Sequence, residues 1–416
     1  MLKGPIAKAT IQTSVILAIR LLVQAGTLLV VARMLGNVQF GFFAANAALA
    51  VLIGTFSTFG THLVLLGESS KDARRAEDVL SYAVPTTLTC SSLLFILYLL
   101  ISLVFFSGMD WSLWVTLCIG IAEIFVLPLY MLPTMRLLAA GKTAFSQLVV
   151  ITPLMLRMVA AVAVLIFSPE NMLVAFAILY VVTAVACLFL MKCIDKQAWL
   201  TWRQWRIAKT SELKSSAGYA TLALTAAGPS ELDKLLAVKL LPLGVSGLYV
   251  AASRVIGAST LPVIALLLSA FPRLFRASTT QTAQNNRLLK WLFAATFIYG
   301  TALSGLLWLL APVCEWLFGE QYQGIADMLR WLCLAIPGLA LRIAAGSVLM
   351  SMEMPWIRAG FELFGMLSLA LLAVVLSRYL GDYSMAIAFA GAEWTMAIIG
   401  LILLSRGLKS APITRL

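Results

Sequence analysis

The stretch ARMLGNVQFGFFAA at Ala32–Ala45 decides the fold, because VKLLPLGVSGLYVA at Val238–Ala251 repeats its pattern almost half the chain later. In both copies a base lies at the end of one apolar helix and a tight connection follows. The pattern Gly-x-aromatic-x-Ala then opens the next helix. Only Leu35, Gly41 and Ala45 are identical to their partners. The sequence therefore predicts one structural unit written twice, provided that the topology of the two halves agrees.

The composition excludes a water-soluble protein. Apolar residues make up 62% of the chain and charged residues 12%, whereas soluble domains carry about twice that share of charge. Apolar runs recur along the whole length, each long enough to cross roughly 30 Å of hydrocarbon as a helix. Alternating period-two patterning, which is typical of outer-membrane barrels, is absent. These features predict an all-α, polytopic membrane protein.

We place twelve transmembrane helices along the chain, six in each half. The predicted spans of the first half are Ile11–Ala32, Phe42–Gly67, Ser81–Phe106, Ser112–Met135, Phe145–Phe167 and Met172–Met191. Those of the second half are Tyr219–Val238, Gly247–Phe271, Trp291–Cys314, Met328–Met350, Ala359–Leu376 and Tyr383–Leu404. The predicted domains are an N-terminal lobe at 1–191, a cytoplasmic linker at 192–218 and a C-terminal lobe at 219–416.

The distribution of bases predicts the orientation. Most of the 30 Lys and Arg residues fall in the tails and the even-numbered loops. The odd-numbered loops hold only Arg33, Lys239 and Arg378. By the positive-inside rule both termini are cytoplasmic. An even number of spans in each half predicts two six-helix lobes related by a pseudo-twofold axis along the membrane normal.

The linker between the lobes carries tryptophans at three-residue spacing, Trp199, Trp202 and Trp205, with bases between and after them. This pattern is typical of a short helix lying in the membrane interface, with the indoles in the apolar layer and the bases toward anionic headgroups. An ordinary linker with interfacial tryptophans fits the same residues.

Several classes of site are excluded by residue type. The chain has one histidine, His62, which we interpret as a packed polar residue, and six scattered cysteines without a C-x-x-C pair. We therefore predict no metal and no cofactor. The net charge of +12 reflects topology, because the bases occupy short loops rather than a folded basic domain. Nucleic acid is not a predicted partner.

Charged residues inside the predicted spans are the main functional candidates. The bases are Arg20, Arg157, Lys234, Arg254, Arg330 and Arg342; the acids are Glu123, Glu231, Asp233, Glu362 and Glu393. Each costs at least roughly 2.5–3.5 kcal/mol near the bilayer centre unless it meets water or a partner. Arg330 and Glu362 lie near span ends and are expected to snorkel. The others predict a water-filled cavity, or pairs that lock helices together, such as Glu123 with Arg157.

The seventh predicted helix combines a break with charges. Gly228 and Pro229 lie in its middle, where proline removes a backbone hydrogen bond and bends the helix. Glu231 and Lys234 are three residues apart and can pair on one face, which leaves Asp233 pointing elsewhere. A kinked helix with a free carboxylate suits proton or sodium coupling; a static kink with a local ion pair is the alternative.

Three motifs carry a family resemblance. Ala32–Gly36 followed by Phe40-Gly41 and Thr58-Phe59-Gly60, then Gly247–Arg254, then Leu317–Tyr322 resemble the polysaccharide flippases. These belong to the multidrug/oligosaccharidyl-lipid/polysaccharide exporter superfamily. The similarity covers essentially the whole chain, in order and at the expected spacing. It implies a V-shaped, MATE-like exporter that works by alternating access.

The resemblance also implies a task and a site. Flippases of this family move undecaprenyl-pyrophosphate-linked oligosaccharides from the cytoplasmic to the periplasmic leaflet of the bacterial inner membrane, for O-antigen, capsule or exopolysaccharide. Expected partners are this lipid, membrane lipids, and the polysaccharide polymerase and chain-length machinery. The implied substrate-binding residues are Arg20, Arg157, Arg254 and Arg342, since guanidinium groups bind phosphate in a bidentate way. Candidates for coupling or helix bending are Asp233, Lys234, Glu123 and Pro229, with H⁺ and Na⁺ both open as coupling ions.

Other classes fit less well. An ion-coupled multidrug or cation antiporter of the same fold is the nearest alternative. The acidic residue Glu123 supports it, whereas Arg20 argues against it, because it occupies the helix where an acid is expected. A major-facilitator carrier would need a Gly-rich basic loop where Glu68–Arg75 stands. A membrane enzyme would present a long outer loop, whereas the predicted outer loops are short and nearly free of His, Lys and Arg. We therefore expect a transporter and not an enzyme.

Overall fold

The computed structural model describes residues 5–107, 112–195, 199, 201–260, 262–264, 267, 283–351 and 355–410, and the regular structure within these ranges is entirely helical. The first helices are α1 (Pro5–Gly54), α2 (Thr61–Lys71), α3 (Arg75–Phe105), α4 (Leu113–Gly120), α5 (Leu127–Ala139), α6 (Thr143–Phe167) and α7 (Met172–Ile194). The later ones are α8 (Thr210–Leu240), α9 (Leu243–Ser259), α10 (Ala283–Phe318), α11 (Ile325–Cys333), α12 (Ile336–Ser351), α13 (Pro355–Leu376) and α14 (Ser384–Ser410). The predicted all-α class is confirmed.

Nine helices within the described ranges are long and apolar enough to cross a membrane, and a tenth is obtained when α11 and α12 are counted as one bent span. The chain is therefore a multi-pass membrane protein. One of the nine, Ile19–Gly54, overlaps parts of the first two predicted spans. The seventh predicted span falls in α8, which is too rich in Ser, Thr, Gly and charged residues to be counted. The total of twelve stays a prediction.

Both copies of the repeated stretch break a helix at the same position. Within α1 the backbone leaves the helical region at Gly36, with φ 69° and ψ 171°, a conformation open essentially to glycine alone. The matched residue of the second copy is Pro242, which precedes α9 with an extended backbone, φ −55° and ψ 143°. The matched Ala45 and Ala251 are both completely buried. The tight connection predicted from the repeat is thus present in each copy.

Two predicted spans are wrong as continuous helices. The second is interrupted by turns over residues 55–60, where Phe59 and Gly60 adopt φ angles of 46° and 75°. A Cβ atom on Gly60 would lie 2.3 Å from the carbonyl oxygen of Ser216, so this close approach to α8 requires glycine. The tenth is bent by 47° between α11 and α12, with Pro337 in the first turn of α12.

Contacts divide the chain into two compact units, Met1–Glu231 and Leu232–Leu416. In the first unit α6 packs along α1 and α7, and α2 packs on α3 and α5. In the second unit α12 packs on α10 and α14, and α13 packs on α14. The boundary falls within α8, later than the predicted start of the C-terminal lobe at residue 219. The predicted domain limits, the pseudo-twofold axis and the V shape stay predictions.

The break at Gly36 provides a test of the repeat. Alanine at Gly36 would have to hold a positive φ, so we expect Gly36→Ala to lower the free energy of unfolding by about 1–3 kcal/mol. The matched control is Gly67→Ala, because Gly67 lies in α2 with open space around its Cβ position and alanine favours a helix by about 0.5–1 kcal/mol. The measurement is thermal unfolding in detergent. Equal effects of the two substitutions would contradict the assigned break.

Candidate charge clusters in the membrane helices

A buried ion pair links α6 to the segment that follows α4. Nη2 of Arg157 donates a hydrogen bond to Oε1 of Glu123 at 2.9 Å, and the hydroxyl of Tyr180 in α7 donates to the same oxygen. The guanidinium carbon also lies 3.7 Å from the centre of the Tyr180 ring. Both side chains are largely buried, Arg157 at 15% exposure and Glu123 at 9%. The predicted alternative in which Glu123 pairs with Arg157 and locks helices is therefore confirmed as a contact.

The backbone around Glu123 has an unusual form. Residues Ile121–Val126 form a π-helical segment between α4 and α5, a feature that often occurs at functional sites. The segment is held by its neighbours: Oγ of Ser91 in α3 donates to the carbonyl oxygen of Ile124 at 2.6 Å. A Cβ atom on Gly54 would lie 2.8 Å from the carbonyl oxygen of Glu123. The Glu123 carboxylate is thus fixed by contacts from several helices.

The second unit holds a guanidinium shared by two carboxylates. Nε of Arg342 in α12 donates to Oε2 of Glu393 in α14 at 2.6 Å, and Nη1 donates to Oε2 of Glu362 in α13 at 2.8 Å. The Arg342 side chain is 13% exposed and both carboxylates are 7% exposed. Glu362, expected to snorkel, is instead part of this buried triad, because α13 packs directly against α12 and α14. Two carboxylates against one guanidinium leave the triad with a formal charge of −1.

Glycines bring the three helices of the triad close enough for these contacts. A Cβ atom on Gly338 would lie 3.0 Å from the backbone nitrogen of Trp394, and one on Gly400 would lie 2.6 Å from Cβ of Ala345. On the other side of the triad, a Cβ on Gly346 would lie 3.3 Å from Oε1 of Glu362. Glycine at these positions lets the helices approach one another closely, so that the Arg342 guanidinium meets both carboxylates.

Asp233 is not the free carboxylate that the sequence predicted. Its Oδ1 accepts a hydrogen bond from Nζ of Lys234 at 3.2 Å, and its Oδ2 accepts one from the hydroxyl of Tyr249 in α9 at 3.2 Å. All three side chains are buried. The contact with Tyr249 comes from a neighbouring helix and could not be read from spacing within α8. Asp233 and Lys234 therefore form a buried ion pair that Tyr249 links to α9.

The remaining predicted site residues differ in their surroundings. Arg20 is exposed and lies midway between the start of α1 and its break; within the described part of the chain it makes no hydrogen bond or ion pair. Arg254 is half-buried in α9. Pro229 lies inside α8, whose backbone continues through it, and its side chain lies outside the described residues. His62 is buried, with Nδ1 2.6 Å from Oγ1 of Thr58, as expected for a packed polar residue.

The linker is fixed to α3 by Arg206. Its two Nη atoms each donate to Glu212 at 2.8 Å, and Nη2 also lies 3.0 Å from Oδ1 of Asp78. The guanidinium stacks over the Tyr82 ring, and the backbone nitrogen of Arg206 bonds the carbonyl oxygen of Ser81 at 3.0 Å. These contacts, chiefly the hydrogen bonds from Arg206, lower the pKa of the Glu212 carboxyl below its usual value. The ion pair between Arg206 and Glu212 therefore contributes stability at neutral pH, and this stability is lost as the pH falls through the lowered pKa of Glu212.

The described part of the linker does not form the interfacial helix that was considered. It contains a single 3₁₀ turn at Trp202–Gln204, with Thr201 and Gln204 forming a capping box, and an irregular stretch up to Lys209. The contacts of Arg206 account for this difference between prediction and structure, because they hold the linker backbone against α3. Residues 196–198 and 200 lie outside the described residues. Trp202 is 72% exposed, and its predicted place in the membrane interface stays a prediction.

The fold of this chain is similar to that of several solved membrane-protein structures. The chain is similar to a multidrug resistance MATE family transporter of the MOP superfamily in an inward-facing conformation, with a TM-score of 0.71 and 14% identity over 97% of this chain and 100% of that chain. It is also similar to the lipid II flippase MurJ in an inward closed conformation, with a TM-score of 0.73 and 15% identity over 97% of this chain and 88% of that chain.

A third similar structure is a MOP superfamily transporter from Pyrococcus furiosus, with a TM-score of 0.66 and 15% identity over 98% of this chain and 97% of that chain. No family model and no curated protein matched the sequence. At these identities the likeness shows the fold alone. The chain has the MATE-like fold of MOP superfamily transporters, and these neighbours are transporters and flippases rather than enzymes.

The triad around Arg342 predicts a large stability effect. Arg342→Gln would leave two carboxylates buried without their cation, so we expect the free energy of unfolding to fall by about 3–5 kcal/mol. The matched control is Arg330→Gln, because Arg330 pairs with Asp327 at an exposed site and such pairs contribute about 0–1 kcal/mol. Thermal unfolding in detergent measures both.

A second substitution tests whether the loss comes from the charge. Adding Glu393→Gln to Arg342→Gln removes one uncompensated carboxylate, so the double variant should recover part of the lost stability. A double variant as unstable as the sum of its single variants would contradict the shared-guanidinium interpretation.

Proposed function

We propose that this protein is a flippase that translocates undecaprenyl-pyrophosphate-linked oligosaccharide repeat units from the cytoplasmic to the periplasmic leaflet of the bacterial inner membrane. The observation that carries the proposal is the environment of Arg20. This guanidinium lies on α1, midway between the start of the helix and its break at Gly36, is exposed, and makes no ion pair within the described part of the chain. A charged side chain inside a membrane helix is costly unless it meets water or an anionic ligand.

The other membrane arginines have different parts in this proposal. Arg157 and Arg342 are already bound to carboxylates, so either would reach a pyrophosphate only after its carboxylate partner moved away. Arg254 is half-buried on α9 and is a secondary candidate for the headgroup. Arg20 is therefore proposed as the main phosphate contact, because its five donors are available without breaking an existing pair.

The fold supports a flippase as well as a drug exporter. One similar solved structure is a flippase for lipid II, and the sequence motifs of this chain resemble polysaccharide flippases. The short periplasmic loops and cytoplasmic termini predicted from the sequence fit the same proposal, with a polysaccharide polymerase and chain-length machinery as the proposed partners that receive the product.

An ion-coupled multidrug or cation antiporter is the second candidate. It is favoured by the excess carboxylate of the Arg342 triad, since a buried formal charge of −1 attracts a proton or a cation. It is also consistent with the similarity to multidrug resistance transporters. H⁺ and Na⁺ are equally open as coupling ions, and Asp233, Lys234 and Glu123 remain candidates for coupling.

A complementation experiment tests the proposal. In a strain lacking the gene, we expect Arg20→Gln to reduce surface glycan about tenfold, with lipid-linked repeat units accumulating on the cytoplasmic side, because a charged hydrogen bond to phosphate is lost. Arg20→Lys should restore only part of the activity, because an ammonium group lacks the bidentate geometry.

The matched control is Lys142→Gln, which removes an exposed base between α5 and α6 and should leave surface glycan unchanged. Normal surface glycan with Arg20→Gln would contradict the role of Arg20. Unchanged glycan in the deletion strain, with drug resistance lost, would support the antiporter instead.

A further inference from the structure

A groove of about 540 Å³ lies beside the linker, in the first unit, and none of its lining residues belongs to the clusters around Glu123, Asp233 or Arg342. Its walls come from Phe59, from α3 and from the start of α8, and they include Pro85, Cys90, Leu213 and Ala217. This volume lies within the usual range for small-molecule sites. The walls are almost wholly apolar, which suits a hydrocarbon chain.

The groove runs from the linker into the membrane-spanning part of α3. Pro85 and Cys90 are ten and fifteen residues from the start of α3 at Arg75, which is about 15 and 22 Å along the helix axis. At the other end the groove is lined by Ile207, whose side chain is 93% exposed. An apolar side chain exposed beside bases is typical of a segment that inserts into the membrane interface.

The mouth of the groove is basic. Arg206 and Lys214 both line it. Arg206 is paired with two carboxylates, Asp78 and Glu212, and this cluster has a formal charge of −1, whereas Lys214 is exposed and makes no hydrogen bond or ion pair within the described part of the chain. Arg203 and Lys209 of the same linker are exposed as well. The charge at this end is therefore complementary to an anionic headgroup.

A strained turn forms the wall opposite α3. Phe59 holds a positive φ of 46°, which is uncommon for a bulky residue. The next residue, Gly60, packs so closely on α8 that a Cβ would lie within 2.3 Å of the Ser216 carbonyl oxygen. This packing holds the turn that carries Phe59, a lining residue of the groove, against α8. Strain of this kind is retained where the surrounding structure imposes it.

We infer that the groove binds an anionic phospholipid of the cytoplasmic leaflet, with an acyl chain along α3 and the phosphate at Lys214. The apolar length, the basic mouth and the exposed Ile207 at the interface all match the chemistry of such a lipid. The site is distinct from the Arg20 contact proposed for the transported lipid. It does not depend on which substrate is carried.

Native mass spectrometry of the full chain tests this inference. The detergent-purified protein is offered equal amounts of phosphatidylglycerol and phosphatidylcholine with identical acyl chains. Phosphatidylglycerol should be retained preferentially, and Lys214→Gln should reduce its retention about fivefold, as expected for one base near a membrane surface. The matched control, Lys142→Gln, should retain it as the unaltered protein does.

A second measurement tests whether the apolar wall of the groove contacts the lipid. Ala217→Trp should fill the groove and remove retention of both lipids. If that variant fails to fold, a variant that keeps only Cys90 reports on the groove directly. Phosphatidylglycerol should protect Cys90 from N-ethylmaleimide, while a variant that keeps only the exposed Cys193 should react at an unchanged rate.

Three results would overturn the inference. The first is equal retention of the two phospholipids, and the second is an equal loss from Lys142→Gln and Lys214→Gln. The third is displacement of phosphatidylglycerol from the Cys90 site by undecaprenyl phosphate at far lower concentration, which would identify the groove as a site for the transported lipid. A failure of the Arg20 complementation experiment would leave this inference untouched, because that experiment does not involve the groove.

Discussion

A guanidinium inside a membrane must be neutralised by a carboxylate or exposed to water or a polar ligand, and this constraint governs the structure. Arg157 meets it through Glu123 and Tyr180, and Arg342 through Glu362 and Glu393. These contacts join α6, α7 and the π-helical segment in one unit, and α12, α13 and α14 in the other. The helices that surround the buried charges are thereby held together.

The same constraint separates charges that build the fold from charges that can act. Once Arg157, Arg342, Asp233 and Lys234 are bound to partners, Arg20 stands out as an exposed, unpaired guanidinium in the described helices. The sequence alone predicted either a cavity lined by several bases or ion pairs that lock helices together. In the proposed function Arg20 is the principal phosphate contact, and the paired arginines become available only after a rearrangement. The triad around Arg342, with its formal charge of −1, is the feature that supports ion coupling.

The fold was largely predictable from the sequence because hydropathy, charge asymmetry and the repeat at Gly41 and Gly247 are local signals. The helical class and the break at each copy follow from them. The breaks at Gly60 and between α11 and α12 were missed, because they depend on packing against other helices and on Pro337. The partners of the charges were only partly predictable. Glu123 with Arg157 was considered, whereas Tyr180, Tyr249 and Glu362 look like ordinary packing or snorkelling residues until their neighbours are known.

The most direct test of the proposed flippase function is a measurement of leaflet transfer by the purified protein. The full chain is reconstituted into liposomes with a polyprenyl-pyrophosphate oligosaccharide that carries a fluorescent sugar, and a membrane-impermeant reductant reports how much label reaches the outer leaflet. We predict that the protein raises the reducible fraction above that of protein-free liposomes, and that Arg20→Gln abolishes the increase. No increase with the unaltered protein, together with uptake of a lipophilic cation driven by an ion gradient, would contradict it.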